Sequence, residues 1–469
     1  MSHSVAGALA ALVWGLAAGP TTAQEPHRLI ITGGHLFDGT GDTLVPNVGI
    51  VIVAGRFLEV GADVSARDLA DATVLRLDDG AYIIPGMFDL HAHYAIDLFG
   101  QGRIDETTAY PAIFLANGVT STFPAGEVNP EAMHDLKLRI DRGEQTGPRL
   151  FNSGPYFGSW RRGWNGDATV EEIYREVDDW AARGVGGFKA KGISPAHLQA
   201  LIERAHMHGL TVTGHLDSGW RNSVNPRDAI RMGIDRIEHF LGGDAMPADR
   251  SAYASLEHMD IHSPAFDSIV ALYLRHHVYF DATLSAYGYF GEKDPAVFTY
   301  FDDERKYFTP YMQELLAARP PRPVNEQFER IYRVKRTTVK AFYDAGGGAL
   351  ITLGTDHPSW GEFISGFSVH RELLSFVLSG IPPAAALRFA TINGARALGV
   401  GDRLGTIEPG KFADLVVIRG NPLEDIRNAR RVWRVIKGGM VYDATALRQS
   451  VEGTIGPRGP DEVGAWQAR

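Results

Sequence analysis

The chain has 469 residues, with 46 Lys and Arg against 56 Asp and Glu, 17 His and no Cys. The absence of cysteine excludes disulfides, thiolate metal sites, iron–sulfur clusters and a cysteine nucleophile, so a tightly held metal must rest on His, Asp, Glu or modified Lys. A formal net charge of −10 argues against nucleic acid as a partner, and 44% hydrophobic residues suit a large globular core.

Taken in chain order, the first segment stands apart. Val5–Gly19 is apolar and rich in small residues, and Thr21-Thr22-Ala23 offers a small-residue cleavage site. Residues 1–23 therefore read as a secretory signal peptide, although its first residues lack Lys or Arg. The run is too short for a stable membrane span, which needs about 20 apolar residues. The expected location is exported, periplasmic or secreted.

Residues 24–84 alternate short apolar runs with turn clusters such as Gly33-Gly34 and Asp38-Gly39-Thr40-Gly41, the pattern of a small antiparallel β unit. From 85 to 400 the pattern becomes apolar strand, loop and amphipathic helix, many times over. Eight strands are expected: Ile83–His91, Val119–Phe123, Arg149–Asn152, Gly187–Lys191, Thr211–His215, Arg236–His239, Val278–Thr283 and Leu350–Thr355. Helices are expected at Thr169–Arg183, Pro195–His208 and Asn225–Met232. Eight such units suit an α/β fold of the (β/α)8 TIM barrel type, with a doubly wound open sheet as the alternative. Residues 401–445 return to short strands, expected to complete one small β-sandwich domain with the N-terminal segment. Residues 446–469 are Gly- and Pro-containing and are expected to form a loosely ordered tail.

Polar, metal-capable residues recur at the ends of the expected strands. The first ends in Asp89-Leu90-His91-Ala92-His93, and because alternate strand residues share a face, His91 and His93 can grip one ion. The fourth carries Lys189, the fifth ends at His215, the sixth at His239, and the eighth runs into Asp356. In a barrel all six would meet at the C-terminal mouth.

These residues lie in motifs that resemble the amidohydrolase superfamily, close to imidazolonepropionase-like enzymes and metal-dependent dipeptidases. The supporting segments are Pro85–His93, Arg236–His239, Leu353–Asp356, Thr391–Gly399 and Gly405–Leu415, and the similarity spans roughly 28–445. By that resemblance His91, His93 and Asp356 bind one divalent metal, His215 and His239 a second, and a carboxylated Lys189 bridges them. It implies a metal-activated hydroxide attacking an amide bond, cyclic or peptide-like, with Asp356 as proton shuttle. Zinc is the first choice of metal, with manganese or cobalt as alternatives. Lys191 shares a face with Lys189, so the bridging role could fall two residues later, and a mononuclear site stays open.

For substrate contacts the βα loops offer Tyr94, Tyr156 and Arg221, beside Asp217 and Asn222. The loop Trp160-Arg161-Arg162 with Trp164 is a further patch. The aromatic stretch from Ser285 to Tyr311 is either a lid over an apolar substrate or helices burying their own faces, the second being favoured. A small-molecule substrate is expected, and homo-oligomerisation stays open. An esterase, lactonase or phosphotriesterase on the same ligands, or a non-catalytic binding protein that kept the barrel, are the rival readings.

Overall fold

The computed structural model describes residues 28–61, 72–217, 223–239, 241, 251–299, 303–357 and 359–468. The expected signal peptide and the loop position Arg221 lie outside these residues. The fold is mixed α/β. Among the described residues no helix is long and apolar enough to cross a membrane.

Nine short strands pair entirely in parallel, in two sets. One set has the order Arg149–Leu150, Val119–Pro124, Met87–Ala92. The other runs Tyr156–Phe157, Gly187–Lys191, Thr211–His215, Arg236–Glu238, Tyr279–Asp281, Ile351–Thr352. Backbone hydrogen bonds cross between the sets on both sides. Leu90 N donates to Leu353 O (3.0 Å), Asp356 N to His91 O (2.9 Å), and Gly186 N to Asn152 O (2.8 Å). The central strands are buried on both faces, which is why they show no alternation of apolar and polar residues.

The helices over these strands begin where the capping chemistry places them. Thr169 and Glu172 form a reciprocal capping box on Val170–Ala182, Ser194 caps Pro195–Met207, and Asn225 caps Pro226–Met232. Gly233, at φ 100°, ends the last of these in the left-handed conformation that a side chain resists.

The other strands are mostly antiparallel. One sheet of four contains Arg28–Thr32, and one of six pairs Leu415–Arg419 with Ala81–Pro85, so both chain ends share it. Leu29, Ile31, Ile50 and Ile52 from the first sheet meet Ile83, Leu415, Val417 and Ile436 from the second in one apolar cluster.

Several expected boundaries are corrected. The strand expected over Ile83–His91 is two strands in two different sheets, split at Gly86. A Cβ there would lie 2.1 Å from Thr120 Oγ1, so the chain crosses between sheets at a point only glycine allows. The third expected strand, Arg149–Asn152, stops at Leu150, and Tyr156–Phe157 is a separate strand outside those expected. The sixth stops at Glu238 because His239 turns to φ 63°. The C-terminal segment is not loosely ordered. Ala444–Ser450 and Val463–Gln467 are helical, Ile455 and Trp466 are buried, and Ile455 exchanges backbone bonds with Tyr307 and Thr309 at 2.9 Å.

Candidate metal centre

The first strand delivers the His pair by simple alternation, and a buried carboxylate fixes it. Asp89 Oδ1 accepts from His91 N and Thr355 N, both at 3.1 Å, while Oδ2 accepts from Thr355 Oγ1 at 2.8 Å. Asp89 thus ties the strand bearing the histidines to the segment bearing Asp356. Arg236 adds a second tie, donating from Nη2 to Leu90 O (2.9 Å) and from Nε to Thr213 Oγ1 (3.0 Å).

Asp356 sits at the focus. Its Oδ1 lies 2.8 Å from His93 Nε2 and 3.3 Å from His91 Nε2, and its Oδ2 lies 3.7 Å from His239 Nε2. The His91 and His239 ring centroids are 4.9 Å apart, and those of His215 and His239 are 4.4 Å apart. The four imidazoles are almost fully buried, whereas 29% of the Asp356 side chain remains accessible. Two groups of donor atoms fall within 4.8 Å of one another: His91, His93 and Asp356, and His91, Glu238 and His239.

All six residues expected at the strand ends therefore share one site. The structure also brings in residues that the sequence reasoning missed. Glu238 is fully buried, its Oε2 lies against Lys189 Nζ, and it is 3.7 Å from His91 Nδ1. Its Oε1 accepts from Thr213 Oγ1 at 3.0 Å. Asp281 Oδ2 holds His91 Nδ1 at 3.1 Å, and Thr283 Oγ1 holds His239 Nδ1 at 2.7 Å. Lys335, reaching from the helix Glu326–Asp344, donates to His239 O at 2.7 Å with its ammonium 4.0 Å from the Tyr287 ring centroid. Three of the strand ends are left-handed: His239 at φ 63°, Thr283 at φ 47° and Asp356 at φ 42°.

The protonation states favour metal binding. Burial lowers His93 to about 4 against the opposing pull of Asp356, and burial likewise holds His215 and His239 well below the ordinary histidine value. These rings are neutral near pH 7, with lone pairs available. Burial opposes ionisation of Asp356, but the charge and hydrogen bond of His91, with the hydrogen bond of His93 beside them, outweigh it. The carboxyl is held well below its usual range. Burial also drives the Lys189 amine well below its ordinary value, with Lys191 acting in the same direction. Neutral His93, His215 and His239 beside the ionised Asp356, with no thiol in the chain, form a nitrogen–oxygen donor set that fits a divalent metal.

The expected substrate contacts separate. Tyr94 turns away from the cluster, its hydroxyl 3.1 Å from Thr122 Oγ1 and its ring packed on Phe114. Tyr156 is buried at the mouth, and a Cβ on Gly126 would lie 1.9 Å from its ring, so that glycine makes its place. Lys191 leaves the cluster and lies 4.0 Å from the Trp160 ring centroid. Arg161 pairs with Glu176, and Trp164 packs edge-on against His197. The aromatic stretch mainly buries its own faces: Tyr287 stacks on Phe328 at 5.3 Å and Tyr289 on Trp360 at 5.8 Å. Tyr300 and Phe301 lie outside the described residues.

Such a cluster on a mixed α/β scaffold has the donors to hold a divalent metal ion. The chain belongs to the amidohydrolase family, whose model matches residues 82–442. Adenine deaminase 3 of Rhizobium meliloti (strain 1021) is 23% identical over 402 residues, covering 84% of this chain and 55% of the deaminase. The chain thus spans about half the length of that relative. Ochratoxinase of Aspergillus niger is 21% identical, covering 94% of this chain and 90% of its own. The crystal structure of that ochratoxinase superposes with a TM-score of 0.64 at 20% identity, covering 93% of this chain and 99% of the other. A Xaa-Pro dipeptidase solved with methionine in its active site gives a TM-score of 0.66 at 22% identity, covering 89% and 100%. At these identities the structural likeness establishes the fold.

Proposed function

We propose that this chain is an exported, metal-dependent hydrolase that cleaves an amide bond, cyclic or peptide-like. The reading carries with it a closed (β/α)8 barrel and a small β-sandwich domain built from both chain ends. Support for closure comes from the backbone bonds on both sides of the parallel strands, and for the second domain from the apolar cluster its two sheets share. Support for export is the apolar run Val5–Gly19.

The observation that carries the reading is the convergence of two donor groups on His91 around the partly accessible Asp356. His91, His93 and Asp356 would hold one divalent ion, zinc by preference, with His215 and His239 holding a second. Metal at this site supplies Lewis-acid polarisation of the scissile carbonyl and lowers the pKa of the attacking water. Asp356 moves the proton. Oδ1 faces His91 and His93, which leaves Oδ2 to accept the proton of the water and return it to the departing nitrogen. Deep burial of the imidazoles keeps bulk water from competing for these contacts.

Lys189 is the proposed bridging residue after its neutral amine adds to carbon dioxide, forming an N–C bond and releasing one proton to give a carbamate. Its location inside the cluster, with Lys191 directed to Trp160, supports that choice. The dipeptidase and ochratoxinase relatives make N-acyl amino acids and dipeptides the first substrates to test.

The test is a panel of N-acyl amino acids, Xaa-Pro and other dipeptides, hydantoins and lactones offered to the zinc-loaded protein, with metal content measured in parallel. Turnover of an amide with about two metal equivalents is expected. In Asp356→Asn, kcat should fall by about 10²- to 10⁴-fold with metal retained. Parent-rate hydrolysis by that variant refutes the shuttle, and a protein that retains no zinc refutes the whole reading.

A further inference from the structure

A second cavity, of about 790 Å³, lies beside the metal centre between the segment after Leu284–Phe290 and the turn containing Trp360. Its size falls within the range of small-molecule sites. Four cations line it, Lys293, Arg305, Arg319 and Arg322, against the single described carboxylate of Glu362. That bias is unexpected in a chain of net charge −10.

The charges are only partly met from within the protein. Glu362 accepts from Lys293 at 2.5 Å and lies 4.0 Å from Arg322 Nε. Arg319 donates to the backbone carbonyls of Trp360 and Leu98, and among the described residues no carboxylate pairs with it. Among the described residues no carboxylate pairs with Arg305. Like charges gathered around one hollow repel unless an anion joins them, and low-dielectric walls strengthen both effects.

The walls specify the rest of the ligand. Trp360, Phe298 and Phe363 supply aromatic surface, and Arg322 is stacked 4.7 Å from the Trp360 ring centroid. Trp360 also stacks on Tyr289, whose ring meets the edge of His357, the neighbour of Asp356. Arg103, on the side of the metal centre, lies 5.1 Å from the same Trp360 ring. The Trp360 and Tyr289 rings therefore lie between the cavity and His357.

We propose that this cavity is a binding site for a flat, apolar anion, an aromatic carboxylate whose ring lies among the apolar lining of Phe298, Phe363 and Leu316 and whose carboxylate is held by Arg305 and Arg322. It stands independently of the reaction assigned to the metal centre. The guanidinium fork suits a carboxylate, and the ring wall suits its body.

Calorimetric titration of the full chain with 2-naphthoate, and with 2-naphthylmethanol as the neutral control, tests this. Naphthoate should bind saturably and at least about tenfold more tightly than the alcohol, the worth of one charge-assisted contact. The double variant Arg305→Gln, Arg322→Gln should weaken naphthoate by about tenfold or more and leave the alcohol unchanged, with an unaltered thermal melt. Stripping metal with a chelator should leave naphthoate binding intact. Absence of saturable binding overturns the proposal. So does undiminished binding to the double variant, or binding that disappears with the metal, which would place the probe at the catalytic centre.

Discussion

Asp281 offers the sharpest test of how the metal centre is held. Its Oδ2 lies 3.1 Å from His91 Nδ1, and both side chains are buried. The contact selects the tautomer and leaves Nε2 facing Asp356. The carboxylate fits because residue 354 is glycine: a Cβ there would lie 2.2 Å and 2.4 Å from the two Asp281 oxygens. Asparagine at 281 keeps the shape and can still accept from Nδ1, but the bond loses its charge. Hydrogen bonds to charged groups contribute about 1.5–3 kcal/mol and neutral ones about 0.5–1.5, a difference near 1–1.5 kcal/mol. Asp281→Asn should therefore weaken metal binding about tenfold, and Asp281→Ala by up to about 100-fold. Competition against a chromophoric chelator reads these affinities directly, and kcat at saturating metal should change less than the affinity does. Metal affinity equal to the parent in both folded variants would refute the role given to Asp281.

Two further outcomes follow from the residues around the site. Glu372 accepts from Leu284 N and Ser285 N at 2.7 Å each, yet burial lifts its pKa from 4.5 to about 8. Between those values the unfolded chain has lost a proton that the folded chain keeps. Stability should therefore fall as pH rises through that window, by at most about 1.4 kcal/mol per pH unit, and the parent's extra slope over Glu372→Gln in urea melts should vanish above pH 8. Parallel slopes for the two proteins would show that the carboxyl ionises freely. Removing residues 451–469 exposes the surface under Ile455 and Trp466 and breaks the backbone bonds of Ile455 to Tyr307 and Thr309, so stability should fall by about 3 kcal/mol or more. An unchanged urea midpoint would show that the segment contributes nothing.

Much of the fold was legible because the two periodicities differ. The helices expected at Thr169–Arg183, Pro195–His208 and Asn225–Met232 agree with the observed ones to within a residue at each end. The break at Gly86 was hidden because its cause is a distant threonine, Thr120, and an apolar run records burial but not which sheet provides it. The order of the C-terminal segment was hidden likewise. Gly453 N, Ile455 and Pro457 O all find their partners in the backbone and side chains of residues 306–309, far away in sequence.

The same reasoning explains which site residues could be read and which could not. His91 lies on the strand Met87–Ala92 and His93 directly follows it, so the alternation of an extended chain brings the two together. By that rule Glu238 and His239 belong on opposite faces, and Glu238 was passed over. The strand stops at Glu238, however, and His239 enters the left-handed region at φ 63°, so adjacent residues both reach the cluster. Such a conformation carries about 1–3 kcal/mol of strain in a non-glycine residue and persists only where the surroundings impose it. Those surroundings are Asp281 O accepting from His239 N, Lys335 donating to His239 O, and Thr283 holding the ring. Thr283 is itself left-handed, and Glu372 grips the two amides that follow it. The donor atoms are therefore visible in the sequence as residue types at strand ends. The residues that aim them are visible only in three dimensions, because each acts on backbone geometry that no spacing encodes.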